Sequence, residues 1–297
     1  MHFVAIGECM AELSAAETAG DYRLGYAGDT FNTAWYLRQI SDMEVSYLSA
    51  VGTDEISGKM LAVMDEAGIG TDHVARLPDR TVGLYMISLK DGERSFTYWR
   101  ESAAARRLAE DPAALSAAFE GADILYFSGI TLAIIGAQGR ANLLAALAAA
   151  HESGKRVAFD PNLRPRLWES VGEMTAAVME GARVSDIVLP SFEDEAEYFG
   201  DVDPQATAAR YANEGADLII VKNGPAEVLY QHGDESGVVN VPPVAKVVDT
   251  TAAGDSFNAG FFAALDQNKP IPDCILNGAH VAGQVIGGRG ALVKVTR

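Results

Sequence analysis

The chain has 297 residues, 48% of them apolar, and its 41 acidic and 23 basic residues give a formal net charge of −18. That length can bury one large core, or one core with a small appended lobe. The acidic balance argues against nucleic acid as a partner, since phosphate binding needs a basic surface. No apolar run approaches the roughly 18 residues of a membrane span, and the start MHFVAIGE lacks the features of a signal peptide, so we expect a cytoplasmic protein with no membrane partner.

Short apolar segments without clean alternation recur along the chain, as expected for strands that are covered on both faces. In chain order they are FVAIG, VSYLSAV, DILYFSGI, RVAFD, DIVLPS and DLIIVK. Helical patterns alternate with them over residues 32–40, 57–67, 138–152 and 172–182. This rhythm predicts a layered α/β fold around a mostly parallel sheet.

One region interrupts the alternation of strands and helices. TVGLYMISL and ERSFTYWRE are extended, aromatic-rich segments on either side of the turn signal KDG, which predicts a β-hairpin. The segment after the first strand shows no clear helix either, although LSAAETA leaves a local helix open. We therefore predict a single domain over 1–297 with a small inserted β lid, formed discontinuously by about 9–27 and 78–102.

The first polar motif is GDTFNTA, residues 28–34. On residue types alone, capping of the following helix by Asp29 or Thr30 is favoured over ligand contact. The alternative is that Asp29 and Asn32, held at a helix start, bind the vicinal hydroxyls of a polyol.

In the predicted hairpin, Phe96, Tyr98 and Arg100 fall on one face of a strand because side chains alternate between the two faces. An ordinary amphipathic hairpin would show the same pattern. An arginine that shares a face with two aromatic residues also suits a lid over a ligand, together with Tyr85 from the partner strand.

DPNLRPRLW, residues 160–168, follows the strand RVAFD at the edge where open α/β sheets bind ligands. Arg164 and Arg166 could belong to a surface turn. A guanidinium there could also bind a carboxylate or phosphate through two parallel hydrogen bonds.

The most informative stretch is DTTAAGDSFNAGF, residues 249–261. Apolar residues at 257, 261, 264 and 265 predict a helix that is buried along one face. An acid in the first turn, here Asp255, needs no function. However, the small residues Ala252, Ala253 and Gly254 allow their N–H groups to form an anion hole suited to a phosphate. A hydroxyl between that phosphate and Asp255 would make the protein an alcohol kinase. The Walker sequence GxxxxGK[ST] and the dinucleotide sequence GxGxxG are both missing.

These residues resemble the ribokinase-like (PfkB) carbohydrate kinases. The C-terminal signature of that family is matched at Asp249, Thr250, Ala252, Ala253, Gly254, Asp255, Ala259 and Gly260, and AGDTFNTA matches the N-terminal signature less fully. The resemblance covers nearly the whole chain. It implies a ribokinase-like three-layer α/β/α sandwich, with ATP and Mg²⁺ as cofactors, and it leaves a monovalent cation such as K⁺ open.

Within the family, five stretches resemble the kinases that act on a keto-deoxy sugar acid. They are GECMAELS, GDTFNTA, GERSFTYWRESAAA, SGITLAI and DPNLRPRLW. The resemblance implies transfer of the γ-phosphoryl group of ATP to the 6-hydroxyl of 2-keto-3-deoxygluconate. A fructokinase or related kinase of a neutral sugar, and more distantly a non-catalytic sugar sensor, are the alternatives.

The resemblance also assigns residues to roles. Asp255 is the proton acceptor, with the N–H groups of residues 252–255 as the anion hole. The implied substrate contacts are Gly28, Asp29, Asn32, Tyr85, Tyr98, Arg100, Arg164 and Asp255, while Arg166 stays unassigned. The implied nucleotide contacts are Asn162, Arg164, Lys222, Gly224, Ala252, Ala253 and Gly254.

The chain departs from the family pattern in two places. VKNGPAE has Glu227 where glycine is common in the family's nucleotide loop. The N-x-x-E element associated with magnesium falls near PSFEDEAE, where no asparagine stands three positions before Glu195. Asp194 or Glu195 could act on the metal through water, or could belong to a solvated helix start, so the metal ligands stay open.

Two further expectations concern the assembly and the proton acceptor. We expect a homo-oligomer. We expect Asp255 to be a weak base, because the helix dipole favours its ionised form.

Overall fold

The computed structural model describes residues 1–16, 18, 20–90 and 93–297. Within these ranges the strands are β1 (His2–Ile6), β2 (Met10–Ala15), β3 (Tyr22–Ala27), β4 (Glu44–Val51), β5 (Val74–Arg76), β6 (Leu84–Lys90), β7 (Glu93–Trp99), β8 (Ile124–Ser128), β9 (Arg156–Asp160), β10 (Ile187–Val188), β11 (Leu218–Val221), β12 (Val228–His232) and β13 (Glu235–Val239).

The helices are α1 (Asp29–Ile40), α2 (Glu55–Glu66), α3 (Pro112–Phe119), α4 (Gly129–Ile134), α5 (Gly136–Glu152), α6 (Val171–Arg183), α7 (Phe192–Phe199), α8 (Pro204–Asn213), α9 (Ala253–Asp266) and α10 (Ile271–Ile286). Two short 3-10 turns lie at Ala104–Arg107 and Pro165–Leu167. No helix within the described ranges is long and apolar enough to cross a membrane.

The larger sheet has the strand order β13-β12-β11-β10-β9-β8-β1-β4-β5. From β11 to β5 all neighbours run parallel, and β12 and β13 add an antiparallel hairpin at one edge. The mostly parallel central sheet predicted from the apolar segments is therefore confirmed. The edge hairpin had no counterpart among the elements predicted from the sequence.

Both faces of the central sheet are covered, because alternate residues of each strand enter different cores. Phe3 and Ala5 of β1 belong to a core with α1, α9 and α10, whereas Val4 and Ile6 belong to a core with α3, α5 and α6. The molecule is thus a three-layer α/β/α sandwich, as expected.

The predicted helices are present, with ends shifted by a few residues. The pattern over 32–40 begins three residues earlier in α1, and those over 57–67, 138–152 and 172–182 correspond to α2, α5 and α6. Two details were wrong. Gly129 and Ile130 continue into α4 and not into a strand, because the Ser128 side chain caps a new helix there. In addition, α9 is buried on all sides over 256–264 and not along one face, since it packs between α1 and α10.

A separate small sheet has the order β3-β2-β6-β7. β6 and β7 pair antiparallel as the predicted hairpin, although residues 91 and 92 of its turn signal KDG lie outside the described residues. β2 includes Leu13–Ala15, so the helix left open for LSAAETA is wrong there, and residues 17 and 19 of that stretch are outside the description. The small sheet brings β6 and β7 beside the carboxyl ends of the central strands.

Candidate active site

A cavity of about 450 Å³ opens at the carboxyl ends of the central strands, where the small sheet covers them. All but one of the site residues predicted from the sequence line it: Gly28, Asp29, Asn32, Tyr85, Tyr98, Arg100, Asn162, Arg164, Lys222, Ala252, Ala253, Gly254 and Asp255. The exception is Gly224. It lies in the turn after β11 with a φ of 55° and does not line the cavity, so its contact with a nucleotide stays a prediction.

The loop before α9 forms one wall of the cavity. Ala252 has a left-handed backbone, with a φ of 59°, which is uncommon for a residue with a Cβ and which turns the chain sharply into the helix. The N–H group of Ala253 donates to the Thr250 carbonyl at 3.2 Å and is therefore not free for a ligand. Within the described part of the chain, the N–H groups of Ala252, Gly254 and Asp255 have no acceptor. The anion hole thus has three available donors and not the four expected.

Asp249 fixes this loop from behind. Its carboxylate accepts hydrogen bonds from the Thr251 N–H (3.1 Å), the Thr251 hydroxyl (2.7 Å) and the Gly290 N–H (2.7 Å). The last bond ties the loop to the C-terminal segment. Asp249 is therefore a structural residue that holds the donors in place.

Asp255 lies at the floor of the cavity, in the first turn of α9. The Asn32 side-chain amide donates to its Oδ2 at 2.8 Å. Burial, and then the charge of Asp29, raise the pKa of Asp255 to about 8, against the smaller opposing effects of Asn32 and Lys222. The expectation of a weak base was wrong, because burial and the neighbouring charge of Asp29 raise the pKa of this carboxyl.

The start of α1 connects two parts of the site. Gly28 is the N-cap residue and no side chain caps the helix, so the capping role considered for Asp29 or Thr30 is wrong. Instead, the Asn32 amide oxygen accepts from the Gly28 N–H at 3.3 Å, while its nitrogen donates to Asp255. Gly28 has to be a glycine, because a Cβ there would overlap the carbonyl oxygen of Glu8.

Asp29 faces the loop after β9. The Asn162 side-chain amide donates to its Oδ2 at 2.8 Å, and the Asn162 N–H donates to Asp160 at 3.1 Å. Asn162 itself has a φ of 37°, a conformation that asparagine tolerates better than most residues. Burial raises the pKa of Asp29, which is partly offset by hydrogen bonds from Ser128 and Asn162.

A buried polar network lies below the anion hole. Lys222, which directly follows β11, donates to Asp160 Oδ2 at 3.1 Å and to Asn258 Oδ1 at 3.2 Å. Asn258 in turn donates to the same Asp160 oxygen at 2.7 Å. A Cβ on Gly254 would lie 3.7 Å from the Lys222 ammonium, so this cation lies close to Gly254, whose N–H group is one of the available donors.

The small sheet supplies the opposite wall. Tyr85 and Tyr98 are register partners on β6 and β7, and their ring centroids lie 5.9 Å apart. Phe96 lies beside both rings, at 6.2 and 6.3 Å. The predicted shared face of Phe96, Tyr98, Arg100 and Tyr85 is therefore present, and it is turned toward the cavity.

Two glutamates that the sequence analysis did not assign hold residues of this wall. Tyr85 donates to Glu12, its partner on the parallel strand β2, and Arg100 forms an ion pair with Glu8, which follows β1. Burial raises the pKa of Glu8, and the Arg100 guanidinium opposes part of that effect. Like Asp160, Glu8 is a polar residue at the carboxyl end of a parallel strand, which is the signal that could have identified it.

Arg164 and the start of α7 complete the cavity. Arg164 is half exposed and lies 3.7 Å from the Asp194 carboxylate, whereas Arg166 does not line the cavity. Of the two acids left open for the metal, Asp194 lines the cavity. Glu195 points away and is completely buried, where Arg210 and Tyr211 bind it at 2.7 and 3.0 Å.

The pKa values of these two acids reflect their surroundings. Burial raises the pKa of Asp194, and Arg164 opposes that effect. Burial raises the pKa of Glu195 to about 7 against the attraction of Arg210. The described residues contain no group of three or more His, Cys, Asp or Glu side chains that could hold a metal ion.

Nearly the whole chain matches known proteins. The sequence model of the pfkB family carbohydrate kinases matches residues 2–296. The 2-dehydro-3-deoxygluconokinase of Dickeya dadantii is 39% identical over 98% of this chain and 96% of its own length. That of Haemophilus influenzae is 37% identical over 97% and 94%. The crystal structure of 2-dehydro-3-deoxygluconokinase from Thermotoga maritima superposes with a TM-score of 0.86 over 100% of this chain and 97% of the other, and at 20% identity it shows the fold alone.

Proposed function

This chain belongs to the pfkB family of carbohydrate kinases, and we propose that it transfers the γ-phosphoryl group of ATP to the 6-hydroxyl of 2-keto-3-deoxygluconate, also called 2-dehydro-3-deoxygluconate. One observation carries the proposal. A single cavity combines Asp255 and the free N–H groups before α9 with Arg100, Tyr85 and Tyr98 on the opposite wall. The first group suits phosphoryl transfer to a hydroxyl, and the second suits a sugar that bears a carboxylate.

In the proposed mechanism, catalysis is mainly positioning and charge stabilisation. The sugar hydroxyl approaches Asp255, which Asn32 holds in place. In a loose transition state the hydroxyl becomes acidic only as its bond to phosphorus forms, so the proton passes late to the Asp255 carboxylate. The N–H groups of Ala252, Gly254 and Asp255, with Lys222 beside them, stabilise the negative charge that grows on the phosphate oxygens.

Asp194 is the residue that fits the Mg²⁺ expected with ATP. Mg²⁺ binds oxygen ligands, keeps several waters, and commonly uses only one or two carboxylates together with substrate phosphates. The Asp194 carboxylate lines the cavity, and the buried Glu195 carboxylate is already bound by Arg210 and Tyr211. The ion would neutralise charge on the phosphates of ATP, and Asp194 would hold it directly or through water.

A kinase of neutral sugars such as fructose is the nearer alternative, because it would use the same Asp255. Arg100 and Arg164 in the cavity argue against it, since a neutral sugar needs neither guanidinium. A non-catalytic sugar sensor is the more distant alternative. The intact AAGD sequence and its available N–H groups count against that possibility.

The test is an ADP-release assay with 2-keto-3-deoxygluconate, its galactose-derived epimer, fructose, ribose and nucleosides. We expect turnover on the keto-deoxy acids well above that on the neutral compounds. Turnover on neutral sugars alone would overturn the substrate assignment. A thermal-shift screen with the acid and with fructose, each with and without ATP, tests the alternative of a non-catalytic sugar sensor. A sensor would bind sugar in this screen but would show no turnover in the ADP-release assay.

Gly254→Val should weaken ATP binding and reduce kcat, each by about tenfold or more, because overpacking typically costs about 1–3 kcal/mol. The branched side chain would point toward Lys222 and crowd the phosphates at the anion hole. Gly172→Val is the matched control, since Gly172 is likewise the second residue of its helix, α6, and does not line the cavity. Unchanged nucleotide binding by calorimetry in Gly254→Val would place the phosphate site elsewhere.

We also propose that the protein is a homo-oligomer. The two outer strands of the small sheet carry exposed apolar side chains: Tyr22 on β3 and Trp99 on β7 are more than half exposed, and Leu24, also on β3, is 40% exposed. A second copy that covers these side chains would remove an apolar patch from water. Light scattering should give a mass above that of one chain.

The resemblance leaves open a monovalent cation such as K⁺. The ADP-release assay, run once in K⁺ and once in Na⁺, tests whether turnover depends on that cation.

A further inference from the structure

Arg100 enters the cavity wall already bound to another residue of the chain. Its Nη2 donates to Glu8 Oε2, and the two side chains are 13% and 2% exposed. Glu8 lies in the loop that leaves the central sheet after β1, and Arg100 directly follows β7 of the small sheet. The ion pair therefore connects the two sheets at the wall where the sugar acid is proposed to bind.

This ion pair leaves hydrogen-bonding capacity unused. Within the described part of the chain, Glu8 Oε1 and Arg100 Nε are buried and have no hydrogen-bond partner. A guanidinium has several N–H donors in one plane, and a single contact with Glu8 uses only part of that fork. The arrangement leaves donors of Arg100 for a second carboxylate.

The surrounding backbone holds Glu8 in place. A Cβ at Gly83 would lie 2.6 Å from Glu8 Oε1, and a Cβ at Gly28 would overlap the Glu8 carbonyl oxygen. Glu8 therefore packs against two residues that have no side chain, Gly83 and Gly28. The Met10 side chain also lies close to Gly83, 3.0 Å from where a Cβ would be. A carboxylate enclosed in this way is a fixed anchor and not a side chain that swings aside when a ligand arrives.

We propose that Glu8 is a positioning residue of the substrate site, whose carboxylate holds the Arg100 guanidinium in the orientation that receives the carboxylate of the sugar acid. The inference rests on the proposed function, because it assumes an acidic substrate. A flexible arginine loses side-chain entropy when it binds a ligand, and an arginine that is already oriented loses less. Glu8 then acts on sugar-acid affinity, and not on nucleotide binding or on the chemical step.

The test is Glu8→Gln, which keeps the size of the side chain and removes its charge. We expect the KM for 2-keto-3-deoxygluconate to rise by about tenfold, because a charge-assisted hydrogen bond is roughly twice as strong as a neutral one. The KM for ATP and the kcat should stay within about twofold. Glu173→Gln is the control: it releases Arg140 from an arginine–glutamate ion pair of 2.7 Å that lies outside the cavity and is more exposed than that of Glu8, and it should change none of the three constants.

A double-mutant cycle with Arg100→Ala completes the test. Glu8→Gln should cause little further loss once Arg100 is absent, since Glu8 acts through that residue. Additive losses, or equal losses in all three constants (a higher KM for both substrates and a lower kcat), would make Glu8 a structural residue and overturn the inference. A lower keto-acid KM in Glu8→Gln would make Glu8 a competitor of the substrate and overturn it as well.

A second variant and the wild-type activity distinguish failure of this inference from failure of the proposed function. If Glu8→Gln does not fold, as judged by thermal unfolding, Glu8→Asp is the second variant: it keeps the charge but is one methylene group shorter, which draws the carboxylate back from Arg100, and it should give the same selective loss. If wild type phosphorylates the keto-acid and the Glu8 variants match it, the inference alone fails. If wild type does not accept keto-acids, the proposed function fails first.

Discussion

Asp255→Asn should reduce kcat by about a hundredfold or more, the usual contribution of a general base, while the variant still binds both substrates. Asparagine keeps the shape of the side chain and its contact with Asn32, but it cannot accept the proton of the sugar hydroxyl. Asp273→Asn is the matched control, because Asp273 is the third residue of α10 as Asp255 is of α9, and it does not line the cavity.

The pH dependence gives an independent signature of Asp255. Its pKa of about 8 means that the protonated form predominates at neutral pH, whereas a proton acceptor must be ionised. We therefore expect kcat/KM of the wild type to increase with pH up to about 8 and then to level off. Asp255→Asn should lose this increase in its residual activity. Wild-type kcat in the purified variant would remove Asp255 from the mechanism.

Stability should change in the opposite direction from activity. The pKa of Asp255 is higher in the folded protein than the usual value of 3.8, so folding favours the protonated form. That stabilisation is fully present below the usual pKa and is lost as the pH increases through about 8. Asp255→Asn cannot ionise, so its Tm at alkaline pH should equal or exceed that of wild type. A lower Tm would indicate that the variant is misfolded and not simply inactive.

Arg100→Ala should lower kcat/KM for 2-keto-3-deoxygluconate by about ten- to a hundredfold, the equivalent of roughly 1.5–3 kcal/mol for a hydrogen bond to a charged group. ATP binding should barely change. The carboxylate lies at the far end of the substrate from the 6-hydroxyl, so its binding energy can also help to close the small sheet and align the reacting oxygen, and kcat could decrease too. Lysine at position 100 should restore only part of the activity, because it lacks the planar fork.

The deciding comparison is between substrates. Arg100→Ala should affect the keto-acid far more than any weakly accepted neutral sugar, and an equal loss on both would mean that Arg100 only supports the small sheet. Arg140→Ala is a suitable control, since Arg140 also forms an ion pair with a glutamate and lies near an aromatic ring, here Trp168. Because Arg100→Ala leaves Glu8 buried without its ion-pair partner, the variant combined with Glu8→Gln separates loss of recognition from loss of stability.

The sequence by itself determined the layered fold and many of the residues that line the cavity. Apolar segments such as FVAIG and RVAFD identify buried parallel strands, because both faces of such strands are covered. The polar residues that follow them gather at one edge of the sheet, as in any open parallel sheet. For this reason nearly all residues predicted from GDTFNTA, FTYWRES, DPNLRPRLW and DTTAAGDSFNAGF line one cavity.

Only the tertiary structure decided how these groups act on one another. Asn32 and Asp255 are 223 positions apart, and Arg100 and Glu8 are 92 apart, so no local pattern could reveal either contact. The same holds for the pKa of Asp255, which depends on burial and on the charge of Asp29, a residue of α1. The packing of α7 against α8 likewise decided that Asp194 faces the cavity and Glu195 does not. Local sequence specifies conformation and residue type, whereas contact, burial and charge environment arise only when distant segments pack together.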